Sequence, residues 1–281
     1  MLNVGPIRKL AFAPVPPRLN RAHPLVNGMT SCFFPLFPGT AVDLYKPARV
    51  KSTGGTAAVG RFGQGVSNAT TWTVGAVADT SDLNWTSGEF TAALWADTPA
   101  TGVDIFCTVF DRSNYVSETN SQGWTLQLRA TNDSFPGINF LIFANNDFTN
   151  YSFASSVAYV AGPQFWAGKS TGTTAKAIIV GGPAYGNSRL VKTLSSAGNI
   201  LPISQTTTAL SGSVFGPSAP PGRLYIACTW KRLLSDPEIQ WFYQEPFGIF
   251  LNPEDLLIAE IGRAPLVAGF DMGSRGIISL Q

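Results

Sequence analysis

The chain of 281 residues carries 28 Gly, 20 Pro, 12% aromatic and only 13% charged residues; average chains hold about 25% charged residues, so this one is short of helix-surface residues and rich in turn residues. A net charge of +2 without any cluster of Lys or Arg lacks the electrostatic footprint of nucleic-acid binding, and no window approaches the ~20 apolar residues of a membrane span, so neither nucleic acid nor membrane is an expected partner. One β-domain with extra termini is the economical organisation, because sandwiches run to about 250 residues as a single domain.

Residues 1–22 interleave Pro6, Pro14, Pro16 and Pro17 with Arg8, Lys9, Arg18 and Arg21. Proline removes donors and fixes an extended backbone. The expectation is a basic arm without a core of its own, making assembly contacts through those four cations. The same prolines interrupt the apolar run that a secretion signal would need, which points to synthesis in a cytoplasm.

Residues 23–253 alternate short apolar runs with Gly, Pro, Asn and Ser, the pattern of an all-β domain. Residues 103–110 and 138–143 are almost continuously apolar, as strands covered on both faces are. Residues 124–130 alternate instead, with Trp124, Leu126, Leu128 and Ala130 facing one way and Thr125, Gln127 and Arg129 the other. Residues 175–180 run into Gly181-Gly182-Pro183, a turn. In the last strand Leu224, Ile226, Cys228 and Trp230 share one face, and Arg223, Ala227 and Thr229 take the opposite one. A helix is predicted from Asp236 to Gln244: Ser235 stands at its cap, Glu238 completes the capping-box spacing, Pro237 suits the first turn and Pro246 ends it. The expected core is Phe90, Leu94, Ile105, Cys107, Leu126, Leu128, Leu141, Ile179, Leu224, Ile226 and Trp230, between two antiparallel sheets. Residues 254–281 form a tail, expected to make assembly contacts because it offers too little apolar surface to offset its own ordering.

Cys32, Cys107 and Cys228 are odd in number, far apart in sequence and each set in an apolar run. They read as buried free thiols of a reducing cytoplasm rather than as a disulfide framework. Asn68, Asn84, Asn132 and Asn150 open glycosylation sequons, which carry no message in a chain that is not secreted.

Residues 224–250 run from Leu224-Tyr225-Ile226 through Trp230-Lys231-Arg232-Leu233-Leu234-Ser235-Asp236-Pro237-Glu238-Ile239 to Pro246-Phe247. This segment resembles the close of laminin-G-like, concanavalin A-like jelly-roll domains of tailed-bacteriophage structural proteins, where a strand leads to a short helix and an aromatic after proline. His23-Pro24-Leu25-Val26-Asn27-Gly28-Met29 and Ala41-Val42-Asp43-Leu44 resemble the family's opening, and Glu89-Phe90-Thr91-Ala92-Ala93-Leu94-Trp95 resembles one of its strands. The resemblance spans roughly residues 22–253. It implies an all-β, antiparallel β-sandwich (concanavalin A-like jelly roll) with an extended N-terminal arm and one short C-terminal helix. It also implies a place in a virion assembled in a host cytoplasm, among capsid or tail proteins, as a homo-oligomer. A trimer suits arms and tails exchanged around a three-fold axis.

The residue inventory offers little for catalysis. His23 is the one histidine and precedes Pro24 in the opening segment, a turn position, so nucleophilic devices lack a base elsewhere. One His and three dispersed Cys do not make a zinc site. Glycoside hydrolysis needs two carboxylates converging on one bond, whereas Asp79 and Asp82 sit in a polar loop and Glu254 and Asp255 are sequence neighbours pointing apart. No catalytic residue and no bound cofactor is therefore expected. Calcium is the ion that the family precedent leaves open, with Asp43, Asp79, Asp82, Asp104, Asp111, Asp133 and Asp147 as dispersed candidates that form no calcium-loop pattern. A glycan rim is the remaining candidate site. Trp85 and Tyr115 would stack on pyranose faces while Asn145, Asn146 and Asp147 hold hydroxyls, with Trp72 and Trp95 as further aromatics.

Three functions follow, in this order. The first is a non-enzymatic accessory structural protein of a tailed phage, decorating the capsid or associated with the tail and docked through its terminal segments. The second is a carbohydrate-binding adhesin on the virion surface, and the third a glycoside hydrolase.

Overall fold

The computed structural model describes residues 17–36, 40–47, 56–60, 63–67, 73–74, 89–98, 106–115, 121–129, 137–143, 151–157, 162–171, 175–181, 189–195, 208–210 and 223–251. The chain divides after Phe250 into a larger and a smaller unit, and the larger one is the domain of interest.

Its first strands are β1 (Met29–Leu36), β2 (Thr40–Asp43), β3 (Thr56–Gly60), β4 (Gly63–Ser67), β5 (Thr73–Val74) and β6 (Phe90–Thr98). There follow β7 (Phe106–Tyr115), β8 (Ser121–Arg129), β9 (Gly137–Phe143), β10 (Tyr151–Val157) and β11 (Gly162–Ser170). The last are β12 (Ala175–Gly181), β13 (Arg189–Ser195), β14 (Thr208–Leu210), β15 (Arg223–Trp230) and the helix α1 (Asp236–Gln244). The helix has the predicted bounds, and residues 138–143 and 175–180 lie in strands as predicted.

The strands form two antiparallel sheets. The larger runs β13-β12-β11-β6-β15-β1-β2, with β4 joined to β15 and β3 to β4; the smaller runs β10-β9-β8-β7-β14-β5. Non-consecutive neighbours such as β6-β15-β1 bring the first and last strands of the domain side by side in the larger sheet, as a jelly roll does.

The two sheets pack face to face. From β6, Phe90, Leu94 and the small Ala92 and Ala96 turn inward, all buried. The ring of Phe90 lies 5.9 Å from both Trp124 of β8 and Phe140 of β9. Trp124 and Leu126 are buried together, as their alternation predicted. Of the remaining predicted core, Ile226 and Trp230 are buried, but in a cluster with the helix rather than between the two sheets, Cys107, Leu128, Leu141, Ile179 and Leu224 occupy strand positions, and Ile105 lies outside the described residues.

The outer face of the larger sheet is also covered along β1, β6, β11 and β15, which makes a third layer there. Trp95 stacks on Tyr243 of α1 at 5.3 Å, Phe165 of β11 meets Phe242 edge-on at 6.1 Å, and Trp230 meets Phe242 at 5.4 Å. Phe34 of β1 packs edge-on against Phe250 at 5.3 Å. The predicted polarity of β15 changes accordingly: Tyr225 through Trp230 are all buried, on both faces. The register against β6 shifts between Leu224 and Ile226, so Tyr225 and Ile226 both join the outer cluster and the predicted run of alternate residues breaks at Leu224. An extra residue at a bulge has this effect.

Residues 17–22, assigned from sequence to the arm, contribute to this cover. Leu19 is buried and bridges antiparallel to Phe250, and the Asn20 N–H donates to the Ile249 carbonyl at 2.8 Å. Extended backbone carrying one apolar side chain can pair on a neighbouring strand. The prolines that predicted extension thus did not exclude docking on the domain itself.

Candidate functional site

Of the predicted rim residues, Tyr115 is the last residue of β7, where it pairs with Ser121 of β8. Trp85, Asn145, Asn146 and Asp147 lie outside the described residues, as do Trp72, Arg8 and Lys9. The strands that carry these segments are described, and their register is informative. Ser113 lies opposite Gly123, Gly123 opposite Phe143, and Phe143 opposite Tyr151. The chain between β7 and β8 and the chain between β9 and β10, which holds Asn145, Asn146 and Asp147, therefore leave the smaller sheet at one end. Thr73 is level with Ala209 and Ala209 with Asp111. Because β14 is antiparallel to both β5 and β7, the chain following Val74, which leads to Trp85, departs toward that same end. Three connections that sequence reasoning linked only by composition thus start from one end of one sheet. β7 and β9 are two strand spacings apart, about 10 Å, a span on the scale of a short oligosaccharide. The residue types on these connections are aromatic, amide and carboxylate, an inventory for holding hydroxyl-rich ligands.

Other candidates from the sequence have structural roles. Asp43 is fully buried, and its Oδ1 accepts from the N–H groups of Cys32 and Tyr45 at 2.9 Å each and of Lys46 at 3.3 Å. It organises the chain leaving β2, with all three of these donors on the one oxygen Oδ1. Asp111 takes a strand position in β7, while Asp79, Asp82, Asp104 and Asp133 lie outside the described residues. Among the described residues no group of three or more His, Cys, Asp or Glu is arranged to hold a metal. Trp95, proposed as a rim aromatic, is 3% exposed beneath α1; it belongs to the outer cluster and not to a rim.

His23 caps a short 3-10 turn at Pro24–Val26, its Nδ1 accepting from the Leu25 N–H at 3.2 Å. Its ring lies 4.4 Å from that of Trp241, which is 38% exposed. Burial pulls the imidazole below its ordinary pKa, with Glu245 opposing. A neutral, hydrogen-bonded ring at a turn matches the position predicted for it. Arg21 lies over the ring of Tyr45 at 4.4 Å and donates to the Tyr45 carbonyl at 3.1 Å, whereas Arg18 is exposed.

Two features escaped the sequence. One is the aromatic outer cover, for which the spacing of Ile239, Phe242 and Tyr243 on one helical face was an available signal. The other is the pairing of Cys32 with Cys228 across β1 and β15, for which distance along the chain gave none.

No protein-family model matches the chain, and no curated protein matches it in sequence. Its fold is shared with solved structures. The binding domain of Paraclostridial Mosquitocidal Protein 1 aligns with a TM-score of 0.55 at 12% identity, over 78% of this chain and 52% of that one. The botulinum neurotoxin serotype D ligand-binding domain, solved in complex with N-acetylneuraminic acid, aligns at 0.54 and 10% identity, over 78% and 51%. The Trypanosoma rangeli sialidase in complex with sialic acid aligns at 0.53 and 11% identity, over 80% and 34%. The chain therefore spans about half the length of the toxin domains and a third of the sialidase, and at these identities the likeness is one of fold: a β-sandwich of the lectin-like, jelly-roll kind.

Proposed function

We propose that this domain is a non-catalytic carbohydrate-binding module whose glycan site is the end of the smaller sheet where the connections carrying Trp85, Tyr115 and Asn145, Asn146 and Asp147 depart. The observation that carries the reading is the likeness of fold to toxin binding domains and a sialidase, two of them solved with a sialic acid bound. The common direction in which β5, β7 and β9 end supports that choice of place. Among the described residues, His23 is committed to its turn, Asp43 Oδ1 to three N–H groups, and Asp97 to the Tyr225 hydroxyl at 2.7 Å, which favours the non-catalytic reading. Sialic acids are the first ligands to try.

Glycan arrays and calorimetric titration with N-acetylneuraminic acid and sialylated oligosaccharides test this. Trp85→Ala, Tyr115→Ala and Asn146→Ala should each weaken binding without moving the unfolding midpoint. A folded protein that retains no glycan on the array defeats the proposal, and release of free sugar or new reducing ends would favour the hydrolase. That the module works on a phage particle, docked through its terminal segments, is the second part of the proposal. The resemblance of residues 224–250 supports it, and antibody labelling of intact particles tests it.

A further inference from the structure

Cys32 of β1 and Cys228 of β15, from opposite ends of the domain's sequence, are direct cross-strand partners. Both are fully buried free thiols. The backbone of Cys32 determines what kind of pair this is. Its N–H donates to Asp43 Oδ1 at 2.9 Å and its carbonyl accepts from the Leu44 N–H at 2.8 Å. Both polar groups therefore point toward β2 and away from β15. Against β15, Cys32 and Cys228 form a non-hydrogen-bonded pair, in which Cα atoms stand about 4.5 Å apart and side chains approach most closely. Disulfides span Cα separations of about 4.4–6.8 Å. Both side chains lie in the same outer cluster.

We propose that Cys32 and Cys228 form a latent cross-link, a dithiol that closes to a disulfide between the first and last strands of the larger sheet when the chain folds in an oxidising medium. The chemistry is exchange with a small-molecule disulfide such as oxidised glutathione. One cysteine thiolate attacks the external disulfide, forming a mixed disulfide and expelling one small thiolate. The second cysteine thiolate then attacks the protein sulfur of that mixed disulfide and expels the other. The protein pair loses two electrons and two protons, and the external disulfide gains them as two thiols. Burial, followed by the neighbouring Cys32, pushes the Cys228 thiol well above its ordinary pKa. Thiolate is therefore scarce in the folded sheet and exchange there is slow. Closure belongs to folding, before the outer cover seals the pair, and the closed bond is then shielded from reductants. Cys107, in the smaller sheet, has no part in it.

The test refolds the full chain from denaturant in a mixture of reduced and oxidised glutathione at mildly alkaline pH, followed by thiol labelling and peptide mapping. A parallel arm holds the native protein with oxidised glutathione for a long period. The expected product lacks two hydrogens, yields one linked peptide joining Cys32 to Cys228, and carries label only at Cys107. The cross-link should survive in Cys107→Ser and vanish in Cys228→Ser. Native protein from both arms with three labelled cysteines, or linked through Cys107, overturns the proposal. The map of the unsubstituted protein decides the matter even where a serine variant does not fold.

Discussion

Gly168 of β11 lies beneath the ring of Phe140 on the facing sheet. A Cβ at that position would stand 2.5 Å from Phe140 Cδ2 and 2.6 Å from Cγ. Phe140 is fully buried and also packs on Phe90, so its ring cannot swing away without disturbing the inner core. Gly168→Ala should cost about 1–3 kcal/mol by overpacking, read as a lower denaturant midpoint. Phe140→Leu in the same chain should recover part of that loss, a coupling that a double-mutant cycle measures. Sequence reading grouped Trp124 and Leu126 on one face because period-two alternation is local. It could not identify Gly168, because the reason for that glycine is a ring some thirty residues away on the other sheet. The same limit hid the cysteine pair, whose partners are brought together only by the jelly-roll order of β1 and β15.

Helix α1 was legible to the residue because its signals are local. Ser235 Oγ accepts from the Glu238 N–H, and the Glu238 carboxylate accepts from the Ser235 N–H at 2.8 Å. What it covers was not legible, since the sheet it packs on is assembled from distant strands. Arg232 joins the helix to the opening segment. It forks onto Glu238 at 2.7 and 3.0 Å while its Nε donates to the Asn27 carbonyl at 2.7 Å. Gly28 makes room for it: with φ of +70° it takes the left-handed conformation that glycine tolerates, and a Cβ there would meet Arg232 Cδ at 2.9 Å. Ser235→Ala should cost about 0.5–2 kcal/mol of stability, and Phe242→Ala about 3–5 kcal/mol because it empties the aromatic cover. Arg232 is the main cause that holds Glu238 down from 4.5 to about 2. A depressed carboxylate stabilises the fold fully above its unfolded value, and the contribution is lost as pH falls from 4.5 toward 2. Arg232→Lys cannot fork onto the carboxylate, so the Glu238 carboxyl, followed by NMR titration, should move up toward its ordinary range and the acid loss should begin at higher pH.

At the scale of the whole domain, the central strands β1, β6, β11 and β15 of the larger sheet are covered on their outer face, and that outer layer is built from the two ends of the domain's chain. Residues 17–26 and 234–250 cover β1, β6, β11 and β15 together. Composition made the β-sandwich legible, but not this third layer: the apolar helical face of Ile239, Phe242 and Tyr243 signals that something is covered, yet not that it is the outer face of a sheet assembled from distant strands. The candidate rim residues were legible only as residue types, and the strand register adds the common sheet end toward which β5, β7 and β9 run. The cover also changes what truncation should do. A free arm could be removed through residue 22 without consequence for the fold. Here Leu19 is buried, bridges to Phe250 and brings Asn20 to bond Ile249, while Arg21 holds Tyr45 at the same edge. Removing residues 1–22 should therefore lower the thermal unfolding midpoint clearly and expose the Phe34, Phe247 and Phe250 rings to a hydrophobic dye. Removing only residues 1–16 should lower it less, since Leu19 and its bridge remain. Equal midpoints for the two truncated chains would show that the Leu19 bridge contributes nothing, and would return residues 17–22 to the role of an assembly arm.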